Sequence, residues 1–217
     1  GCGKTVTSLS LIGLLAETAA VTADTLRFDG RDLLSLDREQ RRLVRGSGIS
    51  MIFQEPMTSL NPVYRIDRQI GEVFTCHNPG MSKKEVRERS IEMLRKVGVP
   101  NPEERLRVYP HQLSGGLRQR VMIAIALAAG APLVIADEPT TALDVTIQAQ
   151  ILQLLRELQQ ENGMSMIPIT HDFGVVSQLA QRVAVMYAGR IVEEGSVEEI
   201  FSDPQHQYTQ LLILCIT

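Results

Sequence analysis

The sequence predicts an α/β fold built around a parallel sheet, because its apolar residues form uninterrupted runs that are separated by helical patterns. The clearest run, Leu133–Ala136, shows no alternation and ends at two carboxylates, Asp137 and Glu138. A strand that is covered on both faces has a continuous apolar sequence, whereas a half-exposed strand alternates. Ile49–Phe53 and Met164–Thr170 are two further strand candidates. We therefore expect a buried parallel sheet with helices packed around it.

Helical patterns precede, separate and follow these strands. Near-helical spacing of apolar residues predicts a helix from Lys4 to Glu17, and a clear apolar stripe predicts another after Asp144. The region from Glu55 to Gly130 is punctuated by prolines and is expected to be mostly helical, with helices near Val63–Cys76 and Lys83–Val97. We expect this region to be inserted between strands of the α/β core.

Polar residues mark the starts of two helices. Ser82 and Glu85 have the spacing of a capping box and predict the start of the helix over Lys83–Val97. A second helix is expected to begin at Asp37. It carries a basic face, which we interpret as a solvated surface and not as a binding patch. The face consists of Arg38, Arg41, Arg42 and Arg45.

The remaining segments predict a β-hairpin, a short strand that closes in a turn and a helical tail. Val183–Tyr187 and Arg190–Glu194 flank Ala188-Gly189, a pattern typical of a β-hairpin. Leu26–Gly30 is expected to be a strand that closes in a turn. The chain after Ser196 has a helical pattern that is first polar and then apolar.

Composition restricts the class of protein. The 217 residues suit one compact domain, possibly with two lobes, and 44% hydrophobic with 22% charged residues is ordinary for a globular protein. A net charge of −3 provides no overall basic field for nucleic acid. The three cysteines show no paired metal-binding spacing, which suits a reducing compartment. The longest uncharged run, Val121–Ala136, is shorter than the roughly 20 residues of a spanning helix, so we expect any membrane-spanning segments to belong to other chains.

The first five residues have the pattern of a phosphate-binding loop. Gly1-Cys2-Gly3-Lys4-Thr5 leads directly into the predicted helix and matches the last part of GxxxxGK(S/T). Backbone N–H groups of such a loop and the helix N-terminus favour phosphate. In this motif Lys4 reaches the β- and γ-phosphates, and the Thr5 hydroxyl is a ligand of Mg²⁺. The motif's first glycine would precede Gly1, and no methionine or signal peptide opens the chain, so we expect an N-terminal truncation inside the loop.

The carboxylates after Leu133–Ala136 lie where ligands bind in open α/β sheets, beyond the carboxyl end of a strand. Phosphoryl transfer requires an Asp that holds Mg²⁺ and a group that positions the attacking water. Asp137 fits the first role, and Glu138 fits the second as a general base or water-orienting group. Adjacent strand residues point to opposite sides, so we expect different roles for the two. Alone, the stretch could also be a strand that ends in a solvated acidic turn. Together with the phosphate loop, it predicts nucleotide hydrolysis.

A third pattern lies within Leu113–Arg120. Ser114 precedes Gly115 and Gly116 at the expected start of a helix, which is another anion-binding arrangement. One nucleotide in one domain does not need two phosphate-binding helix starts. We therefore expect the second to serve a nucleotide that is held by a partner chain.

Together these motifs resemble the nucleotide-binding subunits of ABC transporters, over essentially the whole chain. Gly1–Thr5 is similar to the end of their Walker A motif, and Leu133–Glu138 is similar to Walker B. The other motifs of the family follow in its usual order: the Q-loop at Phe53–Pro56 with Gln54, the signature motif at Leu113–Gln119, the D-loop at Thr141–Asp144 and the switch histidine His171.

The resemblance implies a P-loop NTPase fold with one ABC-type nucleotide-binding domain over residues 1–217, missing its N-terminal part. Its RecA-like core would comprise residues 1–54 and 131–217, and a helical subdomain with the signature motif would be inserted at residues 55–130. ATP and Mg²⁺ are the implied cofactors.

The resemblance also implies roles for individual residues. The catalytic residues would be Glu138, His171 and Gln54. The nucleotide would be bound by Gly1, Cys2, Gly3, Lys4, Thr5, Ser114, Gly115, Gly116 and Asp144. The metal would be held by Thr5, Gln54 and Asp137. Within the second set, Ser114 and Gly116 would contact the γ-phosphate of ATP on the opposite subunit. Considered alone, His171 could simply cap the next helix.

Three shorter segments are similar in sequence to the ATP-binding subunits of dipeptide and oligopeptide importers: Ser50–Pro62, Tyr109–Gln112 and Asp203–Thr209. Importers of nickel or glutathione share much of this sequence, and Gln207 stands where this subfamily usually has proline. The implied protein is an ATP hydrolase at the cytoplasmic face of the inner membrane. Its implied partners are a second, identical or paralogous, ATP-binding subunit, transmembrane permease subunits and, indirectly, a solute-binding protein; nucleic acid is not one of them.

Two alternatives remain open from the sequence. The chain could be a soluble ABC-type ATPase of DNA repair or translation, although repair members place a long coiled coil between the Q-loop and the signature motif, and the segment from Gln54 to Leu113 is short. It could also be inert as it stands, because half of the phosphate loop is missing.

Overall fold

The computed structural model describes residues 2–16, 18–141 and 143–214. The helices are α1 (Lys4–Leu11), α2 (Arg38–Ser47), α3 (Pro56–Ser59), α4 (Ile66–His77), α5 (Lys83–Lys96), α6 (Pro102–Arg105), α7 (Gly115–Leu127), α8 (Val145–Asn162), α9 (Phe173–Leu179), α10 (Val197–Ser202) and α11 (Gln207–Leu214). The strands are β1 (Arg27–Phe28), β2 (Arg31–Asp32), β3 (Ile49–Ile52), β4 (Leu133–Asp137), β5 (Ser165–Ile169), β6 (Arg182–Tyr187) and β7 (Arg190–Ser196). Among these helices, none has both the length and the apolar character needed to cross a membrane.

A parallel sheet of order β3-β4-β5 forms the centre of the fold. Its middle strand, β4, is the apolar run that the sequence predicts to be buried, and Val134, Ile135 and Ala136 are fully inaccessible to solvent. Val134 and Ala136 belong to the large apolar cluster on one face, whereas Ile135 belongs to a smaller cluster on the other. Because both faces are covered, the strand is apolar from Leu133 to Ala136, and the alternation of a half-exposed strand is absent.

Five helices, α3 to α7, connect β3 to β4. Within them α4 packs against α5, and Ile66, Ile70 and Leu94 of these two helices are fully buried in the large apolar cluster. The capping box that opens α5 is present, with Ser82 and Glu85 each accepting the other's backbone N–H. The last helix of the group, α7, returns to the sheet and packs against β3. This packing fixes the position of the N-terminus of α7 relative to the ends of the strands.

The predicted hairpin is present as β6 and β7, which pair antiparallel around Ala188-Gly189. A second, shorter hairpin, β1 and β2, turns at Asp29-Gly30. In the described part of the chain β6 pairs with β7 and not with β5, and a groove of about 540 Å³ lies between the parallel sheet and β6.

Two local predictions need correction. Helix α1 ends at Leu11 instead of continuing toward Glu17, which lies outside the described residues. Gly13 has a φ of +65° just beyond this end, a left-handed conformation that commonly terminates helices. The arginine face of α2 is also less solvated than predicted, because Arg41 donates to the carbonyl oxygens of Leu36 and Leu34 and is half-buried.

Candidate functional site

At the end of β4, the two predicted carboxylates differ in burial and in backbone conformation. Asp137 is the last residue of the strand and is 1% exposed. Glu138 leaves the strand with a left-handed φ of +46°, and its N–H donates to the carbonyl oxygen of Ile169 at 2.8 Å. A non-glycine residue in this conformation is strained, so surrounding contacts must hold it there. The two carboxylates therefore point differently because the chain turns at Glu138, not because of simple strand alternation.

The Glu138 side chain is the centre of a hydrogen-bonded cluster. The Gln54 amide and the Thr141 hydroxyl both donate to Oε2 of Glu138, at 2.9 and 2.8 Å. Oε1 lies 3.0 Å from Nδ1 of His171, a residue whose side chain is otherwise 70% exposed. These three partners come from three different parts of the chain, and the parallel sheet brings them to one edge.

The cluster sets the protonation state of Glu138. Burial tends to raise the pKa of Glu138, but the hydrogen bonds from His171 and Thr141 outweigh it and hold the pKa below its ordinary value. Hydrogen bonds to the charged form stabilise that form. Glu138 is therefore an ionised acceptor at neutral pH, the state that a general base requires.

Asp137 faces the start of α1. Burial raises the pKa of Asp137, and the nearby Thr5 hydroxyl and Lys4 ammonium oppose this effect. Its Oδ1 atom is buried without a hydrogen-bond partner among the described residues. A buried carboxylate oxygen without a hydrogen-bond partner destabilises the fold. The Oδ1 atom of Asp137 is therefore available to bind a cation.

The donor set around Asp137 suits Mg²⁺. The ion prefers hard oxygen ligands and usually takes one or two carboxylates together with phosphate oxygens and water. Asp137 and the Thr5 hydroxyl are oxygen donors of this kind. No group of three or more His, Cys, Asp or Glu side chains suited to a metal occurs in the described ranges; an ion here would depend on oxygens of a bound phosphate group. Gln54, also predicted as a ligand, directs its amide to Glu138.

The described part of the phosphate loop lies at the N-terminus of α1. Gly3 caps the helix with a left-handed φ of +96°, and its carbonyl accepts the N–H of Thr7. Lys4 Nζ lies 3.7 Å from Cys2 Sγ. The first helical N–H groups have no partner within the helix, and they make this end attractive to anions. Gly1, predicted to bind the nucleotide, lies outside the described residues.

The remaining predicted residues form a second group. Ser114 caps α7 through its hydroxyl, and Asp144 caps α8 by accepting the N–H of Ile147 at 3.0 Å. Gly115 is exposed, whereas a side chain at Gly116 would come within 2.9 Å of Ile147 Cγ2. The Ser114–Gly116 loop and the start of α8 are therefore in close contact within one chain.

A buried amide that the sequence did not identify connects the two groups. Gln119 on α7 is 2% exposed, and its Nε2 donates to the carbonyl oxygen of Pro139, next to Glu138. Thr141 also received no individual role from the sequence. Its position three residues after Glu138, in a turn closed by its own N–H to the carbonyl oxygen of Glu138 at 3.1 Å, is the local signal that could have identified it. Ala142, within the predicted D-loop, lies outside the described residues.

Comparison with curated proteins identifies close relatives. The chain is 54% identical to the dipeptide transport ATP-binding protein DppD of Haemophilus influenzae, over 98% of this chain and 64% of that protein. It is 56% identical to the peptidoglycan transport ATP-binding protein YejF of Agrobacterium fabrum, over 98% of this chain and 39% of that protein. DppD of Bacillus subtilis is 54% identical over the same shares, 98% and 64%. The chain thus spans less than two thirds of the length of these relatives.

Solved structures with the same fold are ATP-binding cassettes. The dimeric post-hydrolysis state of the cassette MJ0796, bound to ADP and Pi, superposes with a TM-score of 0.78 at 28% identity, covering 90% of this chain and 81% of that one. CbiO1 from Clostridium perfringens, part of the ABC transporter complex cbiONQ, has a TM-score of 0.76 at 26% identity, with coverages of 100% and 84%. These matches confirm the predicted fold class, a P-loop domain of the ABC type.

The family model described as "ABC transporter" matches residues 1–141, a range that includes the phosphate loop, the Ser114 loop and the end of β4. With the sequence relatives, the structural neighbours and the order of motifs in agreement, the chain belongs to the ABC transporter family.

Proposed function

We propose that the chain is the ATP-binding and ATP-hydrolysing subunit of an importer of dipeptides or oligopeptides. The observation that carries the proposal is the ionised Glu138, held by Gln54, Thr141 and His171 beside buried Asp137 and the start of α1. The names of the most similar relatives support a peptide as the solute. Nickel and glutathione remain as alternative solutes for the same ATPase.

In this proposal the start of α1 binds the phosphates of ATP, with backbone N–H groups and the Lys4 ammonium as the donors. Asp137 and Thr5 would hold Mg²⁺, and the ion would supply positive charge against the negative charge of the transferred phosphoryl group. Glu138 orients the attacking water and accepts its proton. Its Oε2 atom already accepts two hydrogen bonds, whereas Oε1 has His171 as its one partner among the described residues, so we expect Oε1 to accept the proton.

The Ser114–Gly116 loop acts on a second subunit in this mechanism. Ser114 and Gly115 are exposed at the N-terminus of α7, Gly116 lies against Ile147 of α8, and Asp144 caps α8 through the N–H of the same Ile147. We infer that these residues complete the ATP site of a second, identical or paralogous, subunit, a reading supported by the dimeric cassette MJ0796. Permease subunits, a solute-binding protein and a place at the cytoplasmic face of the inner membrane complete the proposed assembly.

The experiment that tests the ATPase role is Glu138→Gln in the complex with its permease. Loss of the general base should lower ATP turnover by about 100-fold or more, while ATP binding is retained because Gln cannot accept the proton but fills the same space. Glu157→Gln, on the exposed face of α8, is the matched control and should hydrolyse ATP normally. Turnover in Glu138→Gln equal to that of the control would refute the assignment.

The solute is tested separately. The complex, reconstituted in vesicles, should take up a labelled dipeptide when ATP is supplied to the face that carries this subunit. Uptake of nickel or glutathione without uptake of dipeptide would replace the solute while leaving the ATPase role intact.

A further inference from the structure

The tip of the β6–β7 hairpin contacts the phosphate loop. The N–H of Gly189 donates to the carbonyl oxygen of Cys2 at 3.1 Å. A Cβ atom built on Gly3 would lie 3.9 Å from Cα of Gly189, so the two backbones are nearly in van der Waals contact. Among the described residues β6 pairs with β7 and not with β5, and a groove lies between β5 and β6, so this hydrogen bond links the β6–β7 hairpin to the N-terminus of α1 across that gap in the sheet layer.

The backbone of the tip is unusual. Ala188 and Gly189 have φ values of +47° and +79°, the pattern of a type I′ turn, which favours Asn, Asp or Gly at its first position. Alanine at this position is strained. The β1–β2 hairpin has the same pair of conformations at Asp29-Gly30, with the preferred residue types. A strained turn persists only where its surroundings hold it, and such turns concentrate at functional sites.

The C-terminal part of the chain supports the hairpin. The ring of Tyr187, next to the tip, lies 4.5 Å from that of Tyr208 on α11. Further along β7, the carboxylate of Glu193 accepts the N–H groups of Gln205 and His206 at 2.7 and 3.1 Å, just before α11. The tip is therefore attached to α11 on one side and to Cys2 on the other.

We propose that Gly189 is a positioning residue for phosphate binding, an inference that rests on the proposed ATPase function. In a trans peptide the carbonyl and the following N–H point in opposite directions. Gly189 therefore holds the Cys2 carbonyl toward the hairpin and directs the Gly3 N–H away from it, where it is available to a phosphate. Without this bond, the left-handed Gly3 lets the peptide plane rotate and present a repelling carbonyl oxygen to the anion.

The test compares two glycines with the same backbone conformation. Gly189 and Gly30 both have left-handed φ values and open space around a built Cβ, so a valine strains each hairpin alike. Valine disfavours the left-handed conformation of Gly189 and so moves the N–H away from the Cys2 carbonyl oxygen. Gly189→Val should therefore weaken ATP binding about five- to tenfold, the size of one lost hydrogen bond, whereas Gly30→Val should leave it within about twofold. Gly189→Asn, which tolerates the left-handed conformation and so keeps the N–H in place, should restore it. Equal effects of the two valines, or no rescue by asparagine, would overturn the proposal.

A second readout does not depend on ATP. Alkylation of Cys2 by iodoacetamide, followed peptide by peptide in a mass spectrometer, should be faster in Gly189→Val than in wild type and unchanged in Gly30→Val. If the wild type fails to bind ATP, the proposed function fails, while the alkylation rates still decide whether the contact exists. Should Gly189→Val not fold, hydrogen exchange in the wild type decides: a Gly189 amide that exchanges as fast as an unbonded one would contradict the proposal.

Discussion

The buried amide of Gln119 is the most informative place to perturb the coupling between the Ser114 helix and the strand end. Its Nε2 donates to the carbonyl oxygen of Pro139, and both residues are buried. Gln119→Met keeps approximately the same volume and removes the donor. The Pro139 carbonyl would then lose this partner in a place that water does not reach, at the position next to Glu138.

The expected loss is the cost of one unsatisfied buried carbonyl, about 1–3 kcal/mol in the free energy of unfolding. For a chain of this size each kcal/mol lowers the melting temperature by about 2–4 °C, so Gln119→Met should melt about 2–12 °C below wild type. Gln119→Glu adds a pH test. A buried carboxyl must keep its proton to donate, so this variant should be less stable at pH 7 than at pH 5, relative to wild type.

Urea unfolding and thermal melting, both followed by circular dichroism, measure these losses. The control is Gln153→Met on the exposed face of α8. In the wild type the amide of Gln153 donates to Glu157. A surface change of this kind should stay within about 0.5 kcal/mol of wild type. If Gln119→Met were as stable as Gln153→Met, the bond to Pro139 would contribute nothing, and the proposed coupling of α7 to the strand end would be wrong.

Two further predictions concern helix starts. Asp144→Ala removes the cap of α8 and should cost about 1 kcal/mol in thermal melts, whereas Asp144→Asn, which also caps, should cost much less; equal losses would contradict the capping role. Burial tends to raise the pKa of Glu193, but the nearby Thr209 side chain and the hydrogen bonds from the N–H groups of Gln205 and His206 outweigh it, and the pKa lies below the ordinary 4.5. The anchoring of α11 should therefore be complete above pH 4.5 and lost as the pH falls through the lowered pKa. Hydrogen-exchange protection factors in α11 measure this loss of anchoring. Wild-type factors that stay constant down to pH 3 would refute the prediction. So would a Glu193→Gln variant whose α11 is as well protected at neutral pH as that of the wild type.

The sequence alone determined the elements whose signals are local. The unbroken apolar run of Leu133–Ala136 predicted a strand covered on both faces, and the structure confirms it. The capping box of Ser82 and Glu85 and the turn at Ala188-Gly189 predicted a helix start and a hairpin in the same way. Each of these features depends on a few neighbouring residues, so periodicity and hydrogen-bonding capacity suffice to predict it. The end of α1 is an exception, because the left-handed Gly13 ends the helix before the boundary at Glu17 that the apolar spacing predicts.

Only the tertiary structure decided which distant residues meet. Motif order suggested Gln54 and His171 as site residues, but their convergence on the two oxygens of Glu138 depends on the β3-β4-β5 strand order and on the left-handed turn at Glu138. The bonds from Gln119 to Pro139 and from Gly189 to Cys2 have no signal in the sequence. They are hydrogen bonds to backbone carbonyls, which every residue carries, so the packing of the elements and not residue type selects the partner.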